Sequence, residues 1–250
     1  MRTIVYQSFR TTDVPAWIET CLSSVRGWTE AQGFEYRFFG DEFLDLVPGW
    51  YGEKAGGRIP IVTDLARLLA ARVFLAGEFE RTIWLDADVL IFDPDHFGIS
   101  VTSGFAFGEE VWVQPSSTAG LRAYRNVHNA ICVFCAGNPM LDFYIHACKT
   151  ILRRVEGGVP PQIVGPKLLG ALHNMIGFEL IGEVGMLSPL TLLDVANGGG
   201  RALDLLREKQ SARLRAVNLC SSLAGTETDG VTITNDLLEQ AATRLLEGVG

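Results

Sequence analysis

No stretch of this 250-residue sequence approaches the roughly 20 uninterrupted apolar residues that a membrane-spanning helix needs. Its opening, Met1-Arg-Thr-Ile-Val-Tyr-Gln, lacks the long apolar run of a secretion signal and already reads as a strand. Both absences lead us to expect a protein without an integral membrane segment, located in the cytoplasm or peripherally on the inner membrane. Positive charge is scarce too: 21 Lys and Arg face 29 Asp and Glu, a net charge of −8. Nucleic acids select clustered cations, so this balance argues against a nucleic-acid partner. Cysteines are few and odd in number: Cys21, Cys132, Cys135, Cys148 and Cys220. A scattered set of this kind fits reduced thiols better than a disulfide framework. Cys132-x-x-Cys135 has zinc spacing, but no second Cys or His pair follows it. Two small buried residues on an apolar strand are the better reading. Internal repeats, low-complexity tracts and clear linkers are absent as well.

What remains is long enough and apolar enough for one α/β domain over residues 1–250. Thr3 to Tyr6 reads as a strand and Pro15 to Gln32 as a helix, with Trp17, Cys21, Leu22, Val25 and Trp28 on one stripe. Phe34 to Phe39 is a second strand. A β-α-β opening implies a Rossmann-like, mainly parallel central sheet with flanking helices. Trp50 to Pro60, rich in Gly and charge, reads as a loop. Ile61 to Ala76 is a helix with Leu65, Leu69 and Val73 in one apolar row and Gly77 at its exit. Strands follow at Arg81–Leu85, Ser103–Phe107 and Ala130–Phe134, and helices at Pro139–Arg154 and Pro166–Met175. Phe178–Ile181 is a short strand, Leu203–Leu214 a helix and Asp236–Leu246 a terminal helix. Asn197-Gly-Gly-Gly200 is the weakest point of the chain, and residues 198–250 are a candidate tail or lid.

The chemistry concentrates at Arg81-Thr-Ile-Trp-Leu-Asp86-Ala-Asp88-Val-Leu-Ile-Phe92. Two carboxylates flank one small residue where an apolar strand ends, and open α/β sheets bind ligands beyond the carboxyl ends of their strands. Like charges this close repel, and a divalent cation relieves the repulsion. Hard oxygen donors suit Mg²⁺ or Mn²⁺, which keep positions open for substrate phosphates. A surface Asp-x-Asp turn is the bland alternative, but the apolar flanks place the motif inside the fold. The preceding helix reads Thr63-Asp64-Leu-Ala-Arg67, which puts Asp64 and Arg67 on one face, away from the apolar row. They form either a weak surface ion pair or an Asp that accepts from sugar hydroxyls beside an orienting Arg.

Asp64-x-x-Arg67, a helix, Gly77, and then Trp84-Leu-Asp86-Ala-Asp88 resemble the glycosyltransferases whose sugar-binding region contains a DXD motif. That group includes yeast mannosyltransferase-like proteins, capsule and lipopolysaccharide transferases and the catalytic domains of large clostridial toxins. Ile4-Val-Tyr-Gln7 is similar to the family's opening strand. Pro15-Ala-Trp17, Phe34-Glu-Tyr36, Asn129-Ala130, Gly137-Asn-Pro139 and Gly165-Pro166 match in order and rough spacing, over about residues 3 to 190. The resemblance implies a GT-A fold, a UDP- or GDP-sugar donor, Mn²⁺ or Mg²⁺, a carbohydrate or glycolipid acceptor and retention of anomeric configuration. It places Tyr6 and Gln7 near the nucleotide, Asp64, Arg67 and Asn129 at the donor sugar, and Asp86 and Asp88 at diphosphate and metal. Two departures stand out. Gly77-Glu-Phe-Glu-Arg81 replaces the usual Gly-Gly pair and is closer to glycogenin-type enzymes, and the family's C-terminal His or Trp segment is missing. After Ala216-Val217, Asn218, Ser221 or Ser222 could supply the remaining metal ligand or a phosphate contact.

Other residues carry weaker signals. Glu109 or Glu110 could act as the base of an inverting reaction, or simply end a strand. His146 reads as structural, and His128, next to Asn129, is the histidine placed nearest the pocket. Trp50, Tyr51 and Trp112 could line an acceptor site or pack. Two other functions compete: a non-catalytic sugar-nucleotide or glycan binder on the same fold, and a phosphatase using Asp-x-Asp as nucleophile and acid/base.

Overall fold

A computed structural model of the chain describes residues 1–118 and 120–249. It opens with β1 (Thr3–Ser8), α1 (Ala16–Ala31) and β2 (Glu35–Phe39), the β-α-β unit expected. All five apolar residues of the α1 stripe are buried. A 3-10 helix at Asp41–Leu46 and α2 (Gly49–Ala55) come next, which corrects the loop expected over Trp50–Pro60. Tyr51 and Ala55, one turn apart, bury a helical face there despite the glycines around them. Gly56 and Gly57, both left-handed, and Arg58 separate α2 from α3 (Ile59–Ala76). The α3 row needs one correction: Leu65 and Leu69 are buried, but Val73 is 64% exposed.

β3 (Arg81–Leu85) carries the chain to Asp86, and β4 (Val89–Ile91) leads it away. β5 (Phe105–Pro115) and β6 (Leu121–Cys135) form a hairpin much longer than the two short strands expected. The outer half of β6, from Leu121 to Asn126, is partly or fully exposed and carries little strand signal, while β5 buries Val111 and Val113 opposite it. α4 (Met140–Arg154) and α5 (Pro166–Ile176) fall where their periodicity put them. β7 (Leu180–Ile181), β8 (Val184–Met186), α6 (Pro189–Ala196), α7 (Arg201–Lys209), β9 (Ala216–Asn218) and α8 (Asn235–Arg244) complete the frame. α6, β8 and β9 had no clear sequence signal, and α7 stops well short of Leu214. Ser188 and Thr234 cap α6 and α8 with their side-chain oxygens. The Asp194 carboxylate accepts from the Ala202 and Leu203 amides at the start of α7, so the Asn197–Gly200 break is a tight helix-to-helix turn.

The central sheet has the order β2-β1-β3-β6-β5-β7. β6 runs antiparallel to its neighbours and the other strands run one way. This is the mainly parallel, helix-flanked α/β sheet that the sequence implied. A smaller sheet, β4-β9-β8, pairs Val89 with Asn218. Apolar side chains fill both sides of the central sheet, with Tyr6 and Trp84 on the α3 side and Ile83 and Val133 on the other. A third cluster joins α1, α6, α7 and α8. Among the described residues no helix is long and apolar enough to cross a membrane.

One irregularity positions the site. Phe107 pairs with Cys132 but Gly108 pairs with His128, which leaves Asn129, Ala130 and Ile131 without β5 partners. A Cβ on Gly108 would lie 2.0 Å from the His128 ring, so the crossing demands glycine. The His128 Nδ1 accepts from the Ala130 amide at 3.2 Å, so Nε2 carries the proton and donates to the Val184 carbonyl at 2.9 Å. Burial pushes the His128 pKa down to about 4 and keeps the ring neutral. His128 is therefore a clamp behind the site rather than a pocket residue.

Candidate active site

A cleft of about 840 Å³ opens beyond the carboxyl ends of β1 and β3, with Asp64, Asp86, Asp88 and Asn129 on its wall. Asp86 is held by its own strand end: its amide donates to the Ala130 carbonyl (2.8 Å) and its carbonyl accepts from Val89 (3.0 Å). Trp84 Nε1 donates to Asp86 Oδ1 at 2.6 Å, across the strand's two-residue repeat. Arg67 Nη1 lies 3.2 Å from the same oxygen, and Arg67 Nη2 lies 3.2 Å from Asp64 Oδ1. Arg67 also donates to the Asn129 carbonyl at 2.5 Å, and its guanidinium sits 4.9 Å from the Trp84 ring. Asn129 Nδ2 completes the group by donating to Asp64 Oδ1 at 2.7 Å.

The pair Asp64 and Arg67 thus needs correction in one respect. It shares a helix face as expected, but that face is buried: the two residues are 6% and 5% exposed. From Ile61 to Ala71, α3 is buried on nearly every side, and the ion pair is internal. Burial raises the Asp64 pKa against the opposing pull of Arg67 and Asn129. Burial also lifts Asp86 to about 6, with Arg67 pulling it down and Asp88 pushing it up. Asp86 still keeps 27% of its side chain open to the cleft. For Arg67, burial opposes the charge, but Asp86 and Asp64 more than offset it and raise the pKa.

Asp88 is 7% exposed and is held from the far end of the sequence. Asn218 Nδ2 donates to its Oδ1 and the Ser221 amide to its Oδ2, each at 2.7 Å. The β4–β9 pairing makes this contact, since Val89 lies opposite Asn218. Ser221 and Ser222 also line the cleft. Asn218 uses its amide nitrogen on Asp88 and its oxygen on the Cys220 amide (2.7 Å), so it serves here as a hydrogen-bond partner of Asp88.

Tyr6 and Gln7, expected beside the nucleotide, lie one layer deeper and are 0% exposed. Tyr6 donates its hydroxyl proton to the Arg67 carbonyl (2.7 Å). Gln7 donates to the Asp86 carbonyl (3.1 Å) and accepts from the Tyr36 hydroxyl (2.9 Å). Both brace the site from behind, and the residues just after them, Ser8, Phe9 and Arg10, line the cleft. A strand alternates its faces, and β1 ends in loop only after Ser8, which is why the contact falls later than expected.

Other readings resolve similarly. Glu109 turns away to accept from the Ser211 amide (2.8 Å). Burial lifts Glu110 to about 7, beside Asn126 on the hairpin. Neither glutamate lines the cleft, and neither do Trp50, Tyr51 or Trp112. Tyr51 is fully buried and Trp50 stacks with Arg153. His146 lies on α4 near Thr150, away from the carboxylates. Cys132 and Cys135 are free thiols on opposite faces of β6. A second hollow of about 510 Å³ lies past α7, lined by Arg207, Gln210 and Arg213, and holds none of these site residues.

Sequence reasoning passed over several cleft residues: Arg58 before α3, the Pro161–Gln162 loop, and Cys220. Gly165 had been matched only as part of a family pattern. A Cβ there would lie 2.8 Å from Asp64 Oδ2 and 3.1 Å from Asn129 Nδ2, so its backbone packs directly on both.

The donor chemistry suits a divalent cation. Asp64 and Asp86 share the Arg67 guanidinium, and Asp88 faces the cleft with one N–H bond on each oxygen. A carboxylate oxygen takes two such bonds, so acceptor capacity remains. Among the described residues no three His, Cys, Asp or Glu side chains form a complete protein-only metal cage. That fits an ion bound through one or two carboxylates plus phosphate oxygens and water.

No protein-family model and no curated protein sequence matches the chain. Solved structures do. One is a glycosyltransferase involved in the glycosylation of the major capsid of PBCV-1, with 8% identity, 98% of each chain covered and a TM-score of 0.50. PaToxG glycosyltransferase aligns over 70% of each chain at 13% identity and a TM-score of 0.43. The apo form of the glycosyltransferase GlyE of Streptococcus pneumoniae TIGR4 aligns over 99% of this chain and 63% of its own, at 10% identity and a TM-score of 0.41. The first of these shows that the chain has a GT-A-like glycosyltransferase fold; the other two add nothing to that argument.

Proposed function

We propose that the protein transfers a sugar from a UDP- or GDP-sugar to a hydroxyl of a glycan or glycolipid acceptor, with Mn²⁺ or Mg²⁺ and with retention at the anomeric carbon. A fold alone does not carry a function, so the site must. The observation that carries the proposal is the gathering of Asp64, Asp86 and Asn129 around Arg67, with Asp88 on the same cleft wall, at the carboxyl edge of the sheet.

In this reading Asp88 and Asp86 would hold the ion, with Ser222 on the same wall. The bound ion supplies positive charge to the departing diphosphate. Asp64 accepts from hydroxyls of the donor sugar, and Asn129 and Gly165 fix its carboxylate for that task. Arg67 keeps Asp64 and Asp86 ionised and oriented. Arg10 and Arg58 on the outer cleft offer donors to nucleotide or phosphate oxygens. As the bond from anomeric carbon to phosphate oxygen breaks, the acceptor oxygen bonds to that carbon and its proton passes to the leaving diphosphate. This course asks for no protein base, in keeping with Glu109 spent on Ser211 and Glu110 on the hairpin.

The test is the melting temperature with Mn²⁺ alone and with Mn²⁺ plus UDP or GDP. Ligand at about 100 times its dissociation constant adds about 2.7 kcal/mol. One nucleotide should raise the transition only when Mn²⁺ is present, and Asp88→Asn should abolish that rise while remaining folded. Equal shifts in Asp88→Asn, or none with any nucleotide, would overturn the proposal.

A further inference from the structure

Asp88 takes its orientation from a turn that an ordinary L-residue disfavours. Cys220 stands at φ 56° and ψ 57°, in the left-handed region, and is 5% exposed. Among the described residues, non-glycine positive φ occurs at Asp13, Gln162, Cys220 and Asp229. Two of these, Gln162 and Cys220, line the cleft. Strained backbone of this kind persists where the surroundings over-determine it, and it gathers at functional sites.

At Cys220 the surroundings can be named. The Leu219 amide donates to the Asp88 carbonyl at 2.9 Å. The Cys220 amide donates to Asn218 Oδ1 at 2.7 Å, which leaves Asn218 Nδ2 aimed at Asp88 Oδ1. The left-handed twist at Cys220 then swings the next amide, that of Ser221, back onto Asp88 Oδ2 at 2.7 Å. A right-handed or extended residue at 220 would send the Ser221 N–H elsewhere and leave that oxygen without a donor. The thiol does little of this work: its polar contacts are with backbone, the Asn218 carbonyl at 3.9 Å and Leu187.

We infer that Cys220 is a positioning residue for a divalent-cation site: its left-handed backbone, not its thiol, sets the Asp88 carboxylate toward the cleft. The inference rests on the metal reading above for its consequence, but the positioning itself can be measured without metal.

The experiment compares Cys220→Gly, Cys220→Ala and Cys220→Val with the parent. Glycine adopts the left-handed region freely, alanine poorly and β-branched valine worst. Two readouts are taken: the shift and exchange protection of the Ser221 amide by NMR, and Mn²⁺ affinity by electron paramagnetic resonance, with and without UDP or GDP. Cys220→Gly should retain the protected Ser221 amide and bind Mn²⁺ within about twofold of the parent. Cys220→Val should lose the protection and bind Mn²⁺ about tenfold or more weakly, as loss of a second layer of metal support does. If Cys220→Val does not fold, Cys220→Thr, also β-branched, takes its place with the same sign; Cys220→Ala, which keeps the Cβ and loses only the thiol, should behave as the parent.

An unchanged Ser221 amide and unchanged affinity in the β-branched variant would overturn the inference, as would loss of both in Cys220→Ala. So would loss of both in Cys220→Gly, which would assign the role to the thiol. If the parent binds no Mn²⁺ with any nucleotide, the transferase reading fails, and the Ser221 amide still decides whether Cys220 positions Asp88.

Discussion

Arg67→Met removes the one cation that, among the described residues, contacts Asp64 and Asp86, and leaves a side chain of similar volume behind. Were Asp64 and Arg67 a weak surface ion pair, such a change would leave stability nearly untouched. Burial of both Asp64 and Arg67 reverses that expectation. Breaking a buried ion pair by deleting one partner costs about 3–5 kcal/mol. At about 2–4 °C per kcal/mol for a chain of this size, the melting temperature should fall by roughly 6–20 °C. Arg67 holds down the pKa of both carboxylates, so its loss lifts Asp64 and Asp86 further than burial already has. A carboxylate with a raised pKa in the fold binds more protons there than when unfolded, so stability falls as pH rises through that range. The deficit of the variant should therefore be larger at pH 8 than at pH 5. Urea denaturation followed by tryptophan fluorescence at the two pH values measures it. Adding Asp64→Asn and Asp86→Asn to Arg67→Met removes the unpaired charges and should recover most of the loss. A single variant within about 0.5 kcal/mol of the parent at pH 8, the usual range of surface substitutions, would refute this account of the cluster. So would a triple variant no better than the single one.

Two other outcomes follow from the same geometry. Gly165→Ala puts a Cβ 2.8 Å from Asp64 Oδ2; overpacking of this kind costs about 1–3 kcal/mol. The displaced carboxylate should weaken donor binding more than Mn²⁺ binding, and calorimetry showing equal losses of both would contradict its placement at the sugar. His128, neutral in the fold with a pKa of about 4, takes up its proton near 6.5 when unfolded. Its contribution is present above pH 6.5, is lost as pH falls toward 4, and is reduced by about 2 kcal/mol at pH 5. A ring-proton titration of His128 by NMR with a midpoint near 6.5 would show that the clamp at Gly108 is not closed.

Local chemistry and local periodicity determined much of this protein. The stripe of α1, the apolar strand running into Asp86-Ala-Asp88, and the i, i+3 spacing of Asp64 and Arg67 are short-range facts, and each stands in the structure as the sequence implied. Tertiary structure decided the rest, because burial and strand pairing depend on residues far away in the chain. Packing on nearly every side of α3 turned a seemingly solvated ion pair into an internal one. The β5–β6 register slip freed Asn129 to face Asp64, an outcome set by Gly108 against His128 rather than by Asn129 itself. The meeting of Asp88 with Asn218 and Ser221 arises from the β4–β9 pairing across some 130 residues of sequence, through a three-residue strand too short to announce its partner. A side chain's type and spacing are written locally, but whether it is dry, paired or aimed at a cleft is a property of what folds against it.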